Sequence, residues 1–222
     1  MLGSMGYINW GEKTVDVTDD QAVSSAYDEG YVFIRTSPGA MQKTRSLRVD
    51  LAKFTLNSEN RRVLRKLPGL SVQSRGLPIP KEEYDWNIHR TGKEFYGKKF
   101  NDISFSAARI RYLLTSPEMH FSTLLQYAVD SVTAGYAICY ANGDLLHYAY
   151  PFYEFENYPA NLGMAMMVHA ILLSKETGRK YCYLGSVRSV RDLYKLQFSG
   201  LSYYDRTGWS SDLDPLKAEL RQ

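Results

Sequence analysis

The chain is poor in cysteine, in net charge and in long apolar runs. Its only cysteines, Cys139 and Cys182, each lie in an apolar run with no His or Cys at metal-ligand spacing. No metal site is expected, and both thiols read as small buried hydrophobes. The histidines at 89, 120, 147 and 169 are scattered, and His169 sits in an apolar helical stretch as a core residue would. No apolar run approaches the roughly 18 residues that span a bilayer, and Met1 to Gly11 lacks the charged and apolar regions of a secretory signal. A cytoplasmic location without a membrane partner is therefore expected. What is present is the material of a globular chain: 222 residues, 44% hydrophobic, 23% charged, with 16 glycines and 8 prolines. These values exclude disorder and collagen-like structure and leave one large domain or two small ones.

The net charge of +3 gives no argument for nucleic acid, but its distribution does. Between Arg35 and Lys66 nine basic residues face only Asp50 and Glu59, a local balance of +7 that leaves −4 for the remainder. A segregated strip rich in arginine is the footprint of a phosphate-binding surface, because the guanidinium offers a planar fork of donors to phosphate oxygens. The alternative is a solvated face. Arg61, Arg62 and Arg65 fall at helical spacing, so one helix face can present all three.

Residues 19–29 read as a short helix capped by Asp19 or Asp20, Tyr31 to Ile34 as a buried strand, and 47–51 as a half-buried strand of period two. Asn57 or Ser58 then caps the arginine-bearing helix. The Gly- and Pro-rich stretch from Gly69 to Pro80 reads as a linker, and 81–96 and 105–114 as helices. In the second half, 124–129, 136–140 and 145–153 are strand-like, with Asn142-Gly143 as a hairpin turn. An apolar helix follows from about Asn161 to Lys175 and stops at Thr177-Gly178. Then come a strand at 181–184, an amphipathic helix at 188–198 and a strand at 202–204. Three antiparallel strands, helix, strand, helix, strand is the order of the GNAT acyltransferase fold. The expected architecture is thus α+β: a basic N-terminal subdomain (1–70), a linker (71–80) and a GNAT-like transferase domain (81–222).

Several motifs sharpen this. The turn Ala160 to Ala165 keeps the glycine and final alanine of the GNAT phosphate-binding turn but lacks its leading Arg or Gln. Across most of its length the chain resembles the bacterial arginyl/leucyl-tRNA-protein transferases. Tyr150-Pro151-Phe152-Tyr153-Glu154-Phe155-Glu156 followed by Asn161-Leu162-Gly163 is similar to that family's Tyr-x-Phe-Tyr-Asp-Pro-Asp segment and Ser-Leu-Gly helix start. Tyr183-Leu184-Gly185 matches its Tyr-Leu-Gly, and Tyr194-Lys195 with Phe198 its Tyr-Lys-x-x-Phe. Gly30, Phe33, Arg35, then Arg48-Val49, then Phe54 with Arg61-Arg62-Val63-Leu64 look like its first-half motifs. The departures are Glu154 for Asp, Ser186 for an aromatic, and Thr36 to Met41 where the family has a cysteine cluster.

The resemblance implies an aminoacyltransferase that moves an amino acid, arginine or leucine, from charged tRNA to an amine: a protein N-terminus, a peptide or a small molecule. No cofactor is expected beyond the aminoacyl-tRNA co-substrate. An acetyl-CoA-dependent N-acyltransferase and an idle RNA-binding relative are the competing readings, and the oligomeric state stays open. Since the ester is already activated, positioning and one proton transfer are the main tasks. Glu154 and Glu156 are candidates to hold the incoming ammonium or take its proton, and Tyr194 to donate to the ribose oxygen. Tyr150, Phe152, Tyr153, Asn161, Leu162, Gly163, Tyr183, Gly185, Ser186 and Lys195 are candidate substrate contacts. For tRNA the candidates are Arg35, Arg45, Arg48, Arg61, Arg62 and Arg65. Each has a structural alternative: Gly163 as a packing glycine, the glutamates as solvated loop carboxylates, Tyr194 as core and Lys195 as a wet-face lysine.

Overall fold

A computed structural model describes residues 8–154 and 156–221. Residues 1–7, Phe155 of the Tyr150 to Glu156 motif and Gln222 lie outside the described residues. The chain divides into two compact units, each assembled from separate stretches. The first takes residues 8–57, Asn142–His147 and 174–221; the second takes Ser58–Ala141 and Tyr148–Leu173.

The first unit opens with β1 (Gly11–Thr14), α1 (Asp20–Asp28), β2 (Tyr31–Phe33) and β3 (Ala40–Lys43), the strands forming an antiparallel sheet in the order β1-β3-β2. Asp19 caps α1 as expected, its carboxylate accepting the Ala22 N–H at 2.9 Å. The helix buries Val23, Ala26 and Tyr27. Gly30 then turns the chain at φ +86°, where any Cβ would meet the Tyr204 ring at 2.4 Å.

A second antiparallel set runs β11 (Trp209–Ser210), β10 (Leu201–Tyr204), β4 (Ser46–Asp50), β9 (Tyr181–Ser186). In β4 the period-two pattern does what it predicts: Leu47 and Val49 are fully buried. β8 (Leu145–Tyr153) has the predicted bounds, and its first residues, Leu145 to His147, pair with Tyr181 to Tyr183 of β9 in parallel. A parallel neighbour needs a crossover. The chain supplies it in α5 (Leu162–Glu176).

The amphipathic segment expected as an α-helix at 188–198 is a 3₁₀ helix, Val190–Gln197. Its start is a capping box in which Ser189 and Asp192 satisfy each other's backbone. The chain does not end on the strand at 202–204; β11 and α6 (Asp214–Leu220) follow.

The second unit contains α2 (Ser58–Arg65), β5 (Leu70–Gly76), α3 (Trp86–Phe100), α4 (Ala107–Thr115), β6 (Thr123–Val129), β7 (Val132–Ala141), the end of β8 and most of α5. The linker expected over 71–80 is instead largely strand: β5 pairs antiparallel with β6 along its whole length. The helix expected from residue 81 begins at Trp86, where the Asp85 carboxylate caps it by accepting the Asn87 N–H at 2.8 Å.

β6 and β7 form an antiparallel hairpin through Asp130 and Ser131, whose φ values of +50° and +69° suit the twist of paired strands. The end of β8 runs back beside β7, with the Glu154 N–H donating to the Ala134 carbonyl at 3.1 Å. In α5 Leu162, Ala165, Met166, Val168, Ala170 and Ile171 are all fully buried, as its apolar sequence requires. Among the described residues no helix is long and apolar enough to cross a membrane.

Candidate functional site

In the second unit, the end of β8 meets the start of α5. The alternation of β8 points Tyr150 and Phe152 to one face: Tyr150 packs edge-on to Phe105 and Phe121, and Phe152 lies 5.6 Å from the Tyr136 ring. Tyr153, on the other face, is 7% exposed and packs at 4.6 Å on Phe95. Its hydroxyl reaches the first turn of α5. An added Cβ on Gly163 would lie 2.6 Å from that oxygen and 2.9 Å from two ring carbons. The space left by the missing Gly163 side chain is therefore filled by Tyr153, the packing alternative named above.

Lys99, near the end of α3, donates from Nζ to the Tyr153 hydroxyl at 2.7 Å, and its ammonium lies 4.9 Å from that ring. A phenol that accepts from an ammonium becomes a better proton donor, because the positive charge stabilises the phenolate. Asn161, directly before α5, accepts the Ala165 N–H on its carbonyl, while its side-chain nitrogen is buried without a hydrogen-bond partner. An ammonium, a phenol, an unsatisfied amide and a 15-residue helix start thus share one end of this unit.

The two glutamates part company. Glu156 is exposed and ion-paired with Lys98 at 2.8 Å, which raises the Lys98 pKa. Glu154 is half-buried, accepts from the Asn157 amide at 3.1 Å, and adds to the upward pKa shifts that burial imposes on Tyr136 and Tyr158. Leu162 is fully buried core.

Tyr183, Gly185, Ser186, Tyr194 and Lys195 belong to the first unit. Tyr183 is fully buried; its hydroxyl accepts from Arg48 at 3.3 Å, and burial pushes its pKa well above the usual range. Gly185 holds φ +72° in the left-handed region at the end of β9. Lys195 is not on a wet face: its Nζ donates to the Ser186 carbonyl at 3.0 Å and pairs with Asp192 at 3.1 Å, with burial lowering its pKa. Tyr194 is 46% exposed, not core.

The arginines also divide. Arg45 is buried and paired with Glu219. Arg48 pairs with Asp28 at 2.7 Å and is held between the rings of Tyr181 and Trp209, 4.1 and 4.0 Å away. Both spend their donors inside the protein. Arg35 is half-buried. Arg61, Arg62 and Arg65 are exposed on α2, Arg62 forming a bidentate pair with Glu59.

Lys99 did not emerge from the sequence, since 54 residues separate it from Tyr153. The nearest signal is Phe95-Tyr96 followed by Lys98-Lys99 on one helix.

No protein-family model and no curated protein matches the chain. Solved structures do. FemX is similar with a TM-score of 0.50 at 12% identity, over 95% of this chain and 74% of that one. L-PGS from Bacillus licheniformis gives 0.49 at 15%, over 91% and 69%. A GCN5-related N-acetyltransferase from Kribbella flavida gives 0.39 at 13%, over 83% and 62%. At these identities the likeness is one of fold. The fold is the expected α+β, GNAT-like one, mostly antiparallel with flanking helices.

Proposed function

We propose that the protein is an aminoacyl-tRNA-dependent aminoacyltransferase that joins an amino acid to an amine acceptor. Arginine or leucine and a protein N-terminus are favoured by the motif resemblance, and the cytoplasm, where charged tRNA is made, is the place of reaction. The observation that carries the reading is the Tyr153 hydroxyl held by Lys99 at the start of α5.

The acceptor nitrogen attacks the ester carbonyl, an amide bond forms and the bond to the ribose oxygen breaks. Tyr153 donates its proton to the departing oxygen, with Lys99 supporting the phenolate left behind. Glu154 takes the proton that the acceptor nitrogen loses. The Asn161 side-chain nitrogen and the free N–H groups of the first turn of α5 hold a carbonyl or phosphate oxygen. In this assignment Tyr153 takes the donor role expected of Tyr194. The exposed arginines of α2 contact the tRNA backbone.

The test is transfer of radiolabelled amino acids from a total charged tRNA pool to peptides and amines, with acetyl-CoA run in parallel. Transfer from charged tRNA that Tyr153→Phe and Lys99→Met each reduce at least tenfold supports the reading. Label transfer from acetyl-CoA alone decides for an acyl-CoA enzyme, and transfer from neither for a binding protein.

A further inference from the structure

α3 and α4 of the second unit carry a surface that this chemistry does not use. Residues 86, 89, 90 and 93 of α3 recur at helical spacing and share a face, as do 108, 111, 112 and 115 of α4. Where the helices meet, His89, Ala107, Ala108, Arg111, Tyr112 and Thr115 line an open groove of about 410 Å³.

Three arginines at this groove each lie against an aromatic ring: Arg90 is 4.8 Å from Trp86, Arg111 5.8 Å from Tyr84 and Arg109 5.7 Å from Tyr112. Among the described residues none of the three forms an ion pair. The neighbouring carboxylates are engaged elsewhere. Glu118 accepts from the Tyr112 hydroxyl, Asp85 caps α3 and Glu83 pairs with Arg75. A guanidinium laid on a ring is ordered yet keeps its hydrogen-bonding fork for a phosphate.

Flat faces accompany the charge. Trp86 is 56% exposed. His89 lies parallel to Tyr84, 8° between the planes, with its Nδ1 2.8 Å from the Tyr84 hydroxyl. Burial first and the charge of Arg111 second hold the His89 imidazole below its usual pKa, so at neutral pH it offers a flat face without charge.

We propose that the α3–α4 groove binds a single-stranded segment of RNA, with phosphates on Arg90, Arg109 and Arg111 and a base stacked on Trp86. Unpaired arginines alternating with exposed rings match a flexible polyanion whose bases are unstacked; a duplex would leave the rings unused. The inference deepens the aminoacyl-tRNA reading and rests on it for the identity of the strand, an unpaired region of the tRNA.

The test is fluorescence anisotropy of the full chain with an unacylated tRNA pool and with a labelled single-stranded oligoribonucleotide of about 12 nucleotides, within the site sizes of such surfaces. Salt is varied from roughly 50 to 300 mM. Arg90→Gln with Arg111→Gln removes two contacts and lowers the log–log salt slope by about 1.4, some 25-fold in affinity at 0.1 M salt relative to 1 M. RNA also quenches tryptophan emission, and Trp86→Phe abolishes most of that quench. Unchanged affinity and slope in the double variant, with its circular dichroism and melting curve intact, overturns the inference. So does full displacement of the oligonucleotide by millimolar inorganic phosphate, which marks a small-anion site. Charged-tRNA transfer is measured on the same double variant under saturating tRNA. Transfer kept with binding unchanged sinks the groove alone; a wild-type chain that binds RNA but transfers nothing sinks the catalytic reading alone.

Discussion

Replacing Gly163 by alanine tests the link between packing and chemistry at one atom. The added Cβ would stand 2.6 Å from the Tyr153 hydroxyl oxygen and 2.9 Å from two ring carbons, where ordinary contact begins near 3.4 Å. The ring must therefore retreat by about 0.5 to 0.8 Å. Little room exists behind it, because Phe95 packs on the ring at 4.6 Å and the Tyr153 backbone abuts Gly135. Overpacking of this kind costs about 1 to 3 kcal/mol, whereas exchanging glycine for alanine in a helix returns at most about 1 kcal/mol. The clash wins, and a net loss of about 1 to 2 kcal/mol is expected in urea unfolding.

The same displacement stretches the 2.7 Å bond from Lys99. Losing a hydrogen bond to a charged group, about 1.5 to 3 kcal/mol, lowers kcat/KM for aminoacyl transfer by about 10- to 150-fold. Tyr153→Phe separates the two effects: it removes the hydroxyl without pushing the ring, so activity falls by a similar factor while stability stays close to that of the parent. In the Lys99→Met background, Gly163→Ala should cost stability but little further activity. A Gly163→Ala protein with parental urea midpoint and parental kcat/KM would refute both the packing argument and the role given to the Tyr153 hydroxyl.

Two further outcomes are expected. Changing Arg61, Arg62 and Arg65 together to alanine should weaken tRNA binding and lower the log–log salt slope by about two units instead of three, since Arg62 is already paired with Glu59; anisotropy across a salt series reads this, and an unchanged slope would leave α2 a solvated face. The Cys182 thiol is fully buried, and burial raises its pKa from 9.0 to about 12. The unfolded chain loses that proton first, so stability falls as pH rises from about 9 towards 12, by up to about 1.4 kcal/mol per unit from this group. Urea midpoints from pH 8 to roughly 11 should decline less steeply in Cys182→Ala; an identical decline would remove Cys182 as a cause.

What could be read from the residues depended on how much of an element's pattern is local. β8 has its predicted bounds because an Asn-Gly turn and a long apolar run coincide, and α5 because its apolar run is closed by Thr177-Gly178. β5 was legible only as a linker. Gly69, Gly76, Pro78 and Pro80 crowd it, and Leu70 is its sole buried residue, so its strand character comes from pairing with β6. β3 is equally silent, four residues held between two neighbours. The 3₁₀ form of Val190–Gln197 does not follow from amphipathic spacing, which suits either helix at that length. At the site, the β8 and α5 residues were named from motifs, but Lys99 was not, because its meaning lies in a contact between distant segments. Arg48 shows the converse: its charge suggested a phosphate, and its neighbours Tyr181, Trp209 and Asp28 turn it inward.

The place of β4 has a consequence for how the molecule is made. β4 lies between β9 and β10, whose residues leave the ribosome long after it: Asp50 pairs with Tyr181 across about 130 residues. At 5 to 20 residues per second that is roughly ten seconds or more of translation with neither partner present. During this interval Leu47 and Val49, fully buried in the finished sheet, stand on a strand with two open edges. Synthesis slowed between these positions should therefore lower soluble yield with no change in the sequence, and a circular permutant that brings β9 and β10 out before β4 should be spared that loss.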